Sequence, residues 1–287
     1  MPTIGFRLTK NLDPEERLEE AALWKAFHDF YGNDVVAIDD EARETRDIPT
    51  FGRDPRSYQA KNNNPVSSIL EYWNDPAFQK FSGRKMWVCD WDEAKKRVQQ
   101  LRDIGVGAFI KSTRTKHFVC KVPATGASFD DVMGDMAYSF IDGGPKLLVQ
   151  ELVDMKYEHR FFVIDRKIVT HSPVQVTLTP LDYPLPDFSV SRTPNSSSLE
   201  ASKEILSELH RTASRVADEM EYPHAAIDCA ITTSPDRPNG TGCVIEFNPM
   251  KLGQLGLYAC NVRKLAEASP ALLKEFKPAS EPTFKMS

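Results

Sequence analysis

The feature that most constrains this chain is a pair of strand-like segments, Ala225-Ala-Ile-Asp228-Cys-Ala-Ile and Cys243-Val-Ile-Glu246-Phe-Asn248-Pro. Successive side chains of a strand point to opposite faces. Ile227, Cys229 and Ile231 therefore share one face and Asp228 takes the other, while Ile245 and Phe247 oppose Glu246 and Asn248. Paired as an antiparallel hairpin, the segments bring Asp228 close to Glu246, so two carboxylates and an amide converge. Like charges at that range repel unless something neutralises them. A hard cation does so, and Mg2+ takes one or two carboxylates together with substrate phosphates. A plain sheet with a solvated acidic face produces the same pattern. The alanines beside Asp228 favour a site, as do Gly253 and Gly256 in the loop that follows, where unusual backbone angles are open to the chain.

Two further segments carry candidate chemistry. Gly107-Ala-Phe-Ile-Lys111 ends an apolar strand on a lysine, which can reach phosphate oxygens as a point charge. Residues 112–116, Ser-Thr-Arg-Thr-Lys116, are all donors and suit a phosphate grip; a solvated basic turn is the plainer alternative. In Leu147-Leu-Val-Gln-Glu151-Leu-Val-Asp-Met-Lys-Tyr-Glu158-His-Arg160-Phe-Phe-Val-Ile, the period of two sets Glu158, Arg160, Phe162 and Ile164 on one face. Charge at one end and hydrophobes at the other suit a cleft wall on which a purine lies. A cross-strand ion pair is the competing explanation.

Elsewhere the periodicity predicts an opening strand over 3–8, a helix from Pro14 with Leu18, Ala22, Leu23, Phe27 and Phe30 inward, and a short strand over 35–38. Asp90 caps a helix ended by Gly105, strands 106–111 and 117–122 pair, and Phe129–Phe140 is helical. Asp165-Arg166-Lys167 turns into a strand over Ile168–Ser172, and Ser197-x-x-Glu200 opens a helix with Leu206, Leu209, Ala213, Val216 and Met220 inward. This order is α+β, with antiparallel pairs dominant after residue 106. Regions 40–82 and 173–195 are long and rich in proline, which marks them as candidate acceptor-binding loops.

Composition narrows the classes. Of 287 residues, 36 are Lys or Arg and 41 Asp or Glu, a net charge of −5 that argues against general nucleic-acid binding. There are 20 prolines but 14 glycines, and residues 108–125 contain no glycine, so side chains must supply any phosphate grip there. No signal peptide or membrane-spanning run is visible, and five scattered cysteines form no C-x-x-C pair, so reduced thiols and a cytoplasmic location are expected. No G-x-S-x-G elbow or H-E-x-x-H helix is present. His171 beside Ser172 is a candidate acid–base group or, more simply, a structural histidine.

Taken in order, Phe-Ile-Lys111, Leu-Val-Gln150-Glu151-Leu152-Val153, Glu158-x-Arg160, Asp228 and Glu246-x-Asn248-Pro249 resemble an ATP-grasp protein, of the compact variety found in phage and bacteria with unassigned substrates. Gly256-Leu-Tyr258 also fits that branch, and the likeness covers about Met86 to Leu265. The resemblance implies two α+β lobes with antiparallel sheets clasping ATP, after a small α/β N-terminal region. The implied divisions are 1–85, a nucleotide lobe of about 86–155, a metal lobe of about 156–277, and a flexible tail of 278–287. It implies Lys111, assisted by Lys116 or Lys121, on the α- and β-phosphates, the hinge around Gln150 and the backbone of Glu151, Leu152 and Val153 on adenine, and Glu158 on the ribose. Asp228, Glu246 and Asn248 would hold one or two Mg2+ ions. Arg160 and Lys251 would meet transferring charge, since Ala226 stands where many relatives place an arginine and the lysine lacks a glycine-rich loop after it. The implied activity joins a small-molecule or peptide carboxylate to an amine or thiol through an acyl phosphate. A phosphotransferase and a non-catalytic nucleotide-binding module are the alternatives.

Overall fold

The computed structural model describes residues 3–9, 12, 14–39, 48–52, 71–113, 118–139, 145–174, 201–234, 237–250 and 255–274. Lys116, Lys251, the segment Ser197–Glu200, most of the proline-rich stretch and the tail lie outside these residues. Three sheets organise the described chain. The first is parallel, with β1 (Ile4–Leu8) between β2 (Val35–Asp39) and β3 (Thr50–Gly52). Helix α1 (Pro14–Tyr31) packs Leu23, Ala26 and Phe27 against Ile4 and Phe6. Phe30, expected inward, is 37% exposed, and Tyr31 takes its place with its hydroxyl 2.6 Å from Ser269 Oγ.

Short helix α2 (Pro76–Phe81) begins at Asp75, whose carboxylate accepts from the N–H groups of Ala77 and Phe78. The second sheet runs β4 (Met86–Cys89), β7 (Leu147–Glu151), β5 (Ala108–Ser112), β6 (Val119–Val122), all antiparallel. Helix α3 (Trp91–Asp103), capped by Asp90, covers one face with Ala94, Val98 and Leu101. The expected helix over Phe129–Phe140 splits into α4 (Phe129–Met133) and a 3-10 segment, Gly134–Ser139.

The third sheet runs β11 (Arg237–Pro249), β10 (Ala225–Ser234), β8 (Met155–Ile164), β9 (Lys167–Pro173), again antiparallel. Asp165 and Arg166 both take positive φ, 53° and 58°, in the tight β8–β9 turn. Helix α5 (Lys203–Glu219) is capped by Ser202 and buries Leu209, Ala213 and Val216 on one face of this sheet, against Phe161, Ile227 and Cys229. Leu206, expected inward with them, is only partly covered.

The other face of the third sheet is divided. At one end Phe162, Ile164 and Ala226 share a core with Ile4, Phe6 and Leu23 of the N-terminal unit, and with Leu257 and Leu265. Helix α6 (Val262–Ala268), followed by the short α7 (Pro270–Leu273), closes that core against α1. At the other end of the same face the polar residues stand, turned toward the second sheet. Phe162 is 0% and Ile164 3% exposed, so they are no platform for a purine: the N-terminal unit already covers them. Ala226, likewise, is small because it packs against that unit.

Candidate active site

The hairpin register sets Asp228 opposite Glu246 on one side and opposite Arg160 on the other. A bulge follows at once, between Asp228 and Cys229, leaving Ile245 without a partner across the ladder to β10. Arg160 grips Asp228 with both arms: Nε donates to Oδ1 and Nη2 to Oδ2, each at 2.7 Å. Such a fork is the strongest form of this contact. Asn248 Nδ2 donates to Asp228 Oδ2 and to Glu246 Oε1, each at 3.2 Å. From the second sheet Lys111 Nζ reaches Glu246 Oε2 at 2.9 Å. The two sheets therefore meet through an ion pair between β5 and β11.

Burial shapes the charge. Asp228 is 1% exposed, and desolvation raises its carboxyl to about 6 although Arg160 pulls the other way. Burial also works against the charged Arg160, yet Asp228 holds its pKa above the ordinary value. Burial and the nearby carboxylates of Asp228 and Glu246 push Glu158 up to about 7. For Glu246, burial is outweighed by Lys111, and its pKa lies below the usual range. Glu158, Asp228 and Glu246 thus share the cleft with Lys111 and Arg160, and Arg84 also feels the charge of Glu246.

That donor set fits Mg2+. Two carboxylates and one amide match a hard cation that completes its shell with water and phosphate, provided Asn248 turns its Oδ1 toward the ion in place of the Nδ2 that donates to both carboxylates. Among the described residues no group of three His, Cys, Asp or Glu side chains could hold a metal by itself, so Asn248 or substrate must contribute. Lys111 and Arg160 are the counterions of these carboxylates.

The adenine-strand residues are partly engaged. Gln150 is buried on the face of β7 that also bears Leu148, and its Oε1 accepts from Arg84 Nε at 2.7 Å. Glu151 N–H donates to Lys85 O, and its carboxylate accepts from Lys85 N–H. Leu152 N–H donates to Gly107 O. Among the described residues, Glu151 and Leu152 use their N–H groups within the protein, and Val153 N–H has no acceptor. Lys121 is exposed on β6, opposite Phe109. Lys116 and Lys251 lie outside the described residues.

Three neighbours went unassigned by sequence reasoning. Tyr72 lies under Lys111, its ring centre 4.9 Å from Nζ. Arg84 donates to Gln150 and to the carbonyls of Val244 and Ile245, tying β7 to the bulge in β11. Tyr258 lies against Arg160, whose guanidinium carbon is 5.3 Å from the ring centre. None has a spacing that signals its role, although Gly256-Leu-Tyr258 already stood out. His171, by contrast, stands on the opposite face of the sheet, stacked on Phe161 and 4.7 Å from His210 between ring centres. It is not a cleft residue.

Comparison with known proteins bears on the family and the fold. Residues 81–268, more than half of the chain, match a family described as an ATP-grasp domain, the second family of its clade. No curated protein compared with the chain matches it. Among solved structures, the D-cycloserine synthetase DcsG superposes with a TM-score of 0.60 at 14% identity, covering 92% of this chain and 97% of that one. A RimK domain ATP-grasp protein from Sphaerobacter thermophilus gives 0.51 at 14% identity over 92% and 98%. The ATP-grasp ligase PsnB, complexed with a phosphomimetic variant of its minimal precursor, Mg and ADP, gives 0.50 at 12% over 95% and 99%.

Proposed function

The chain belongs to the ATP-grasp family and has the α+β fold of that family, and on that premise we propose that it is an ATP- and Mg2+-dependent ligase. It joins a small-molecule or peptide carboxylate to an amine or thiol. A carboxylate oxygen of the acceptor attacks the γ-phosphorus of ATP and ADP leaves. The amine or thiol then attacks the acyl-phosphate carbonyl carbon, loses its proton, and inorganic phosphate departs. The observation that carries the proposal is the convergence of Lys111 with Arg160, Asp228, Glu246 and Asn248 where two antiparallel sheets meet.

Lys111 exchanges Glu246 for the α- and β-phosphates, which frees that carboxylate. Asp228, Glu246 and Asn248 would hold one or two Mg2+ ions, whose charge neutralises phosphate oxygens. Arg160, braced by Asp228, meets the transferring phosphoryl group or the acceptor. Lys116 and Lys251 keep the supporting roles that the resemblance implies. Glu158, with its carboxyl raised to about 7, can both donate to and accept from ribose hydroxyls. The backbone from Glu151 to Val153 receives adenine. The protein's contribution is positioning and charge neutralisation.

ADP release measured with candidate carboxylates and amines tests this. Release that needs both partners is the expected result. Release with one acceptor alone would make the protein a phosphotransferase, and binding of Mg·ATP without any release would make it a nucleotide-binding module. Glu246→Gln and Asp228→Asn should each lower release at least about 100-fold, the scale seen when a group facing transition-state charge is lost. Wild-type rates in both variants would overturn the metal assignment.

A further inference from the structure

The turn that carries Tyr258 is held from several elements, and one of its fasteners comes from outside the family match, which begins at residue 81. Five successive N–H groups have named acceptors. Leu257 and Tyr258 donate to one oxygen, Glu19 Oε1 of α1, at 3.0 and 2.9 Å. Ala259 donates to Ser172 Oγ and Asn261 to Thr170 Oγ1, both on β9, while Cys260 donates to Leu257 O. Tyr258 itself is held at φ 51°, a left-handed conformation that a bulky side chain adopts at a cost. A β-carbon at Gly256 would come within 2.9 Å of the Tyr258 ring, so glycine lets the ring fold back over its own turn.

What the turn presents is a seat for Arg160. Gly256 O accepts from Arg160 Nη1 at 3.1 Å, and the Tyr258 ring covers the guanidinium. Asp228 holds Nε and Nη2. The guanidinium is therefore fixed from two sides, by the sheet and by the turn, and strain at Tyr258 has to be opposed by whatever holds the turn. Beside the packing of Leu257, two adjacent N–H groups on one carboxylate oxygen are a polar contact that reaches across from the N-terminal unit.

We propose that Glu19 is a positioning residue of the site: by accepting from Leu257 and Tyr258 it holds the left-handed turn that aims Arg160. The consequence for turnover rests on the proposed function, but the effect on Arg160 does not. Through this contact the N-terminal unit, on which an acceptor loop is expected, is mechanically joined to the arginine that meets the transferring group.

The test compares Glu19→Ala with Glu19→Gln, whose amide oxygen keeps two lone pairs for the same donors. The first readout is solvent exchange of the Arg160 Nε–H by 15N NMR, assigned with Arg160→Lys, in protein without ligands. The second is ADP release. In Glu19→Ala, exchange should speed at least about tenfold, and kcat fall about tenfold with KM for ATP changed by less than about twofold, the signature of an interaction that matters in the transition state. Glu19→Gln should restore both. Exchange in Glu19→Ala equal to wild type overturns the proposal whatever the turnover. If wild type releases no ADP, the ligase proposal falls and the exchange comparison still decides this one. If Glu19→Ala does not fold, Glu19→Asp replaces it: with the carboxylate drawn back by one methylene it must lose what Glu19→Gln keeps, and parity between the two overturns the proposal.

Discussion

Lys111 and Glu246 hold each other 2.9 Å apart, and each owes its charge to the other in a setting where burial opposes both. Under the proposed function the same two groups take different partners, Lys111 the phosphates and Glu246 the metal, so removing Lys111 should act with opposite signs on the two ligands. Lys111→Met is expected to weaken binding of a non-hydrolysable ATP analogue. It should also tighten Mg2+ or Mn2+ binding in the absence of nucleotide by about tenfold, the worth of one partly screened Coulomb contact. Calorimetric titration of each ligand separately checks this. Weakening of both would mean that the lysine organises the site and does not compete for it.

At the level of elements, the third sheet does two jobs along one face. Strand β8 contributes Glu158 and Arg160 to the polar end and Phe162 and Ile164 to a core shared with the N-terminal unit. The period of two alone places all four together, as the sequence indicates; it does not say where the polar end stops and the packed end begins. Phe162→Ala should accordingly cost about 3–5 kcal/mol in chemical denaturation, as for other fully buried aromatic residues, with KM for ATP unchanged. A raised KM without loss of stability would restore the ring to the nucleotide.

Across the molecule, the histidines show how the opposite face of the sheet limits stability. His159, His171 and His210 cluster between the third sheet and α5, with ring centres 6.0 Å apart for the first pair and 4.7 Å for the second. Burial lowers the pKa of all three, and His171 falls to about 4, with His210, His159 and Lys264 adding repulsion. Its Nδ1 is buried without a hydrogen-bond partner among the described residues. At His171 the unfolded chain takes up a proton near pH 6.5 and the folded one near 4, so the stability this one group contributes is full above 6.5 and is lost as pH drops toward 4. The loss attributable to His171 is about 1–2 kcal/mol after allowance for the part of the ring that stays in water. Glu158 and Asp228, whose raised carboxyls take up protons in the folded chain first, contribute with the opposite sign over the same window, so the readout is the difference between variants: the urea midpoint of His171→Phe should gain on that of wild type as pH falls from 7 to 4.5. An unchanged difference would place the proton uptake elsewhere.

Local pattern was enough for the hairpin. Alternation along 225–231 and 243–249 sets Asp228 opposite Glu246, and the observed register agrees because a strand leaves a side chain two faces to choose from. The cap at Asp90 and the buried face of α3 follow in the same way from residues within a few positions of one another. Nothing local foretells that Arg160 clasps Asp228, that Arg84 reaches from before β4 to the carbonyls of β11, or that Glu19 holds a turn more than two hundred residues away. Nor does it show that His171 faces away from the cleft. Which side chains share a face is readable from the residues alone, since backbone periodicity decides that. Which surface each face meets was left to the tertiary structure, because it depends on how three sheets and their helices close their apolar sides against one another, and contacts of long sequence separation leave no period to read.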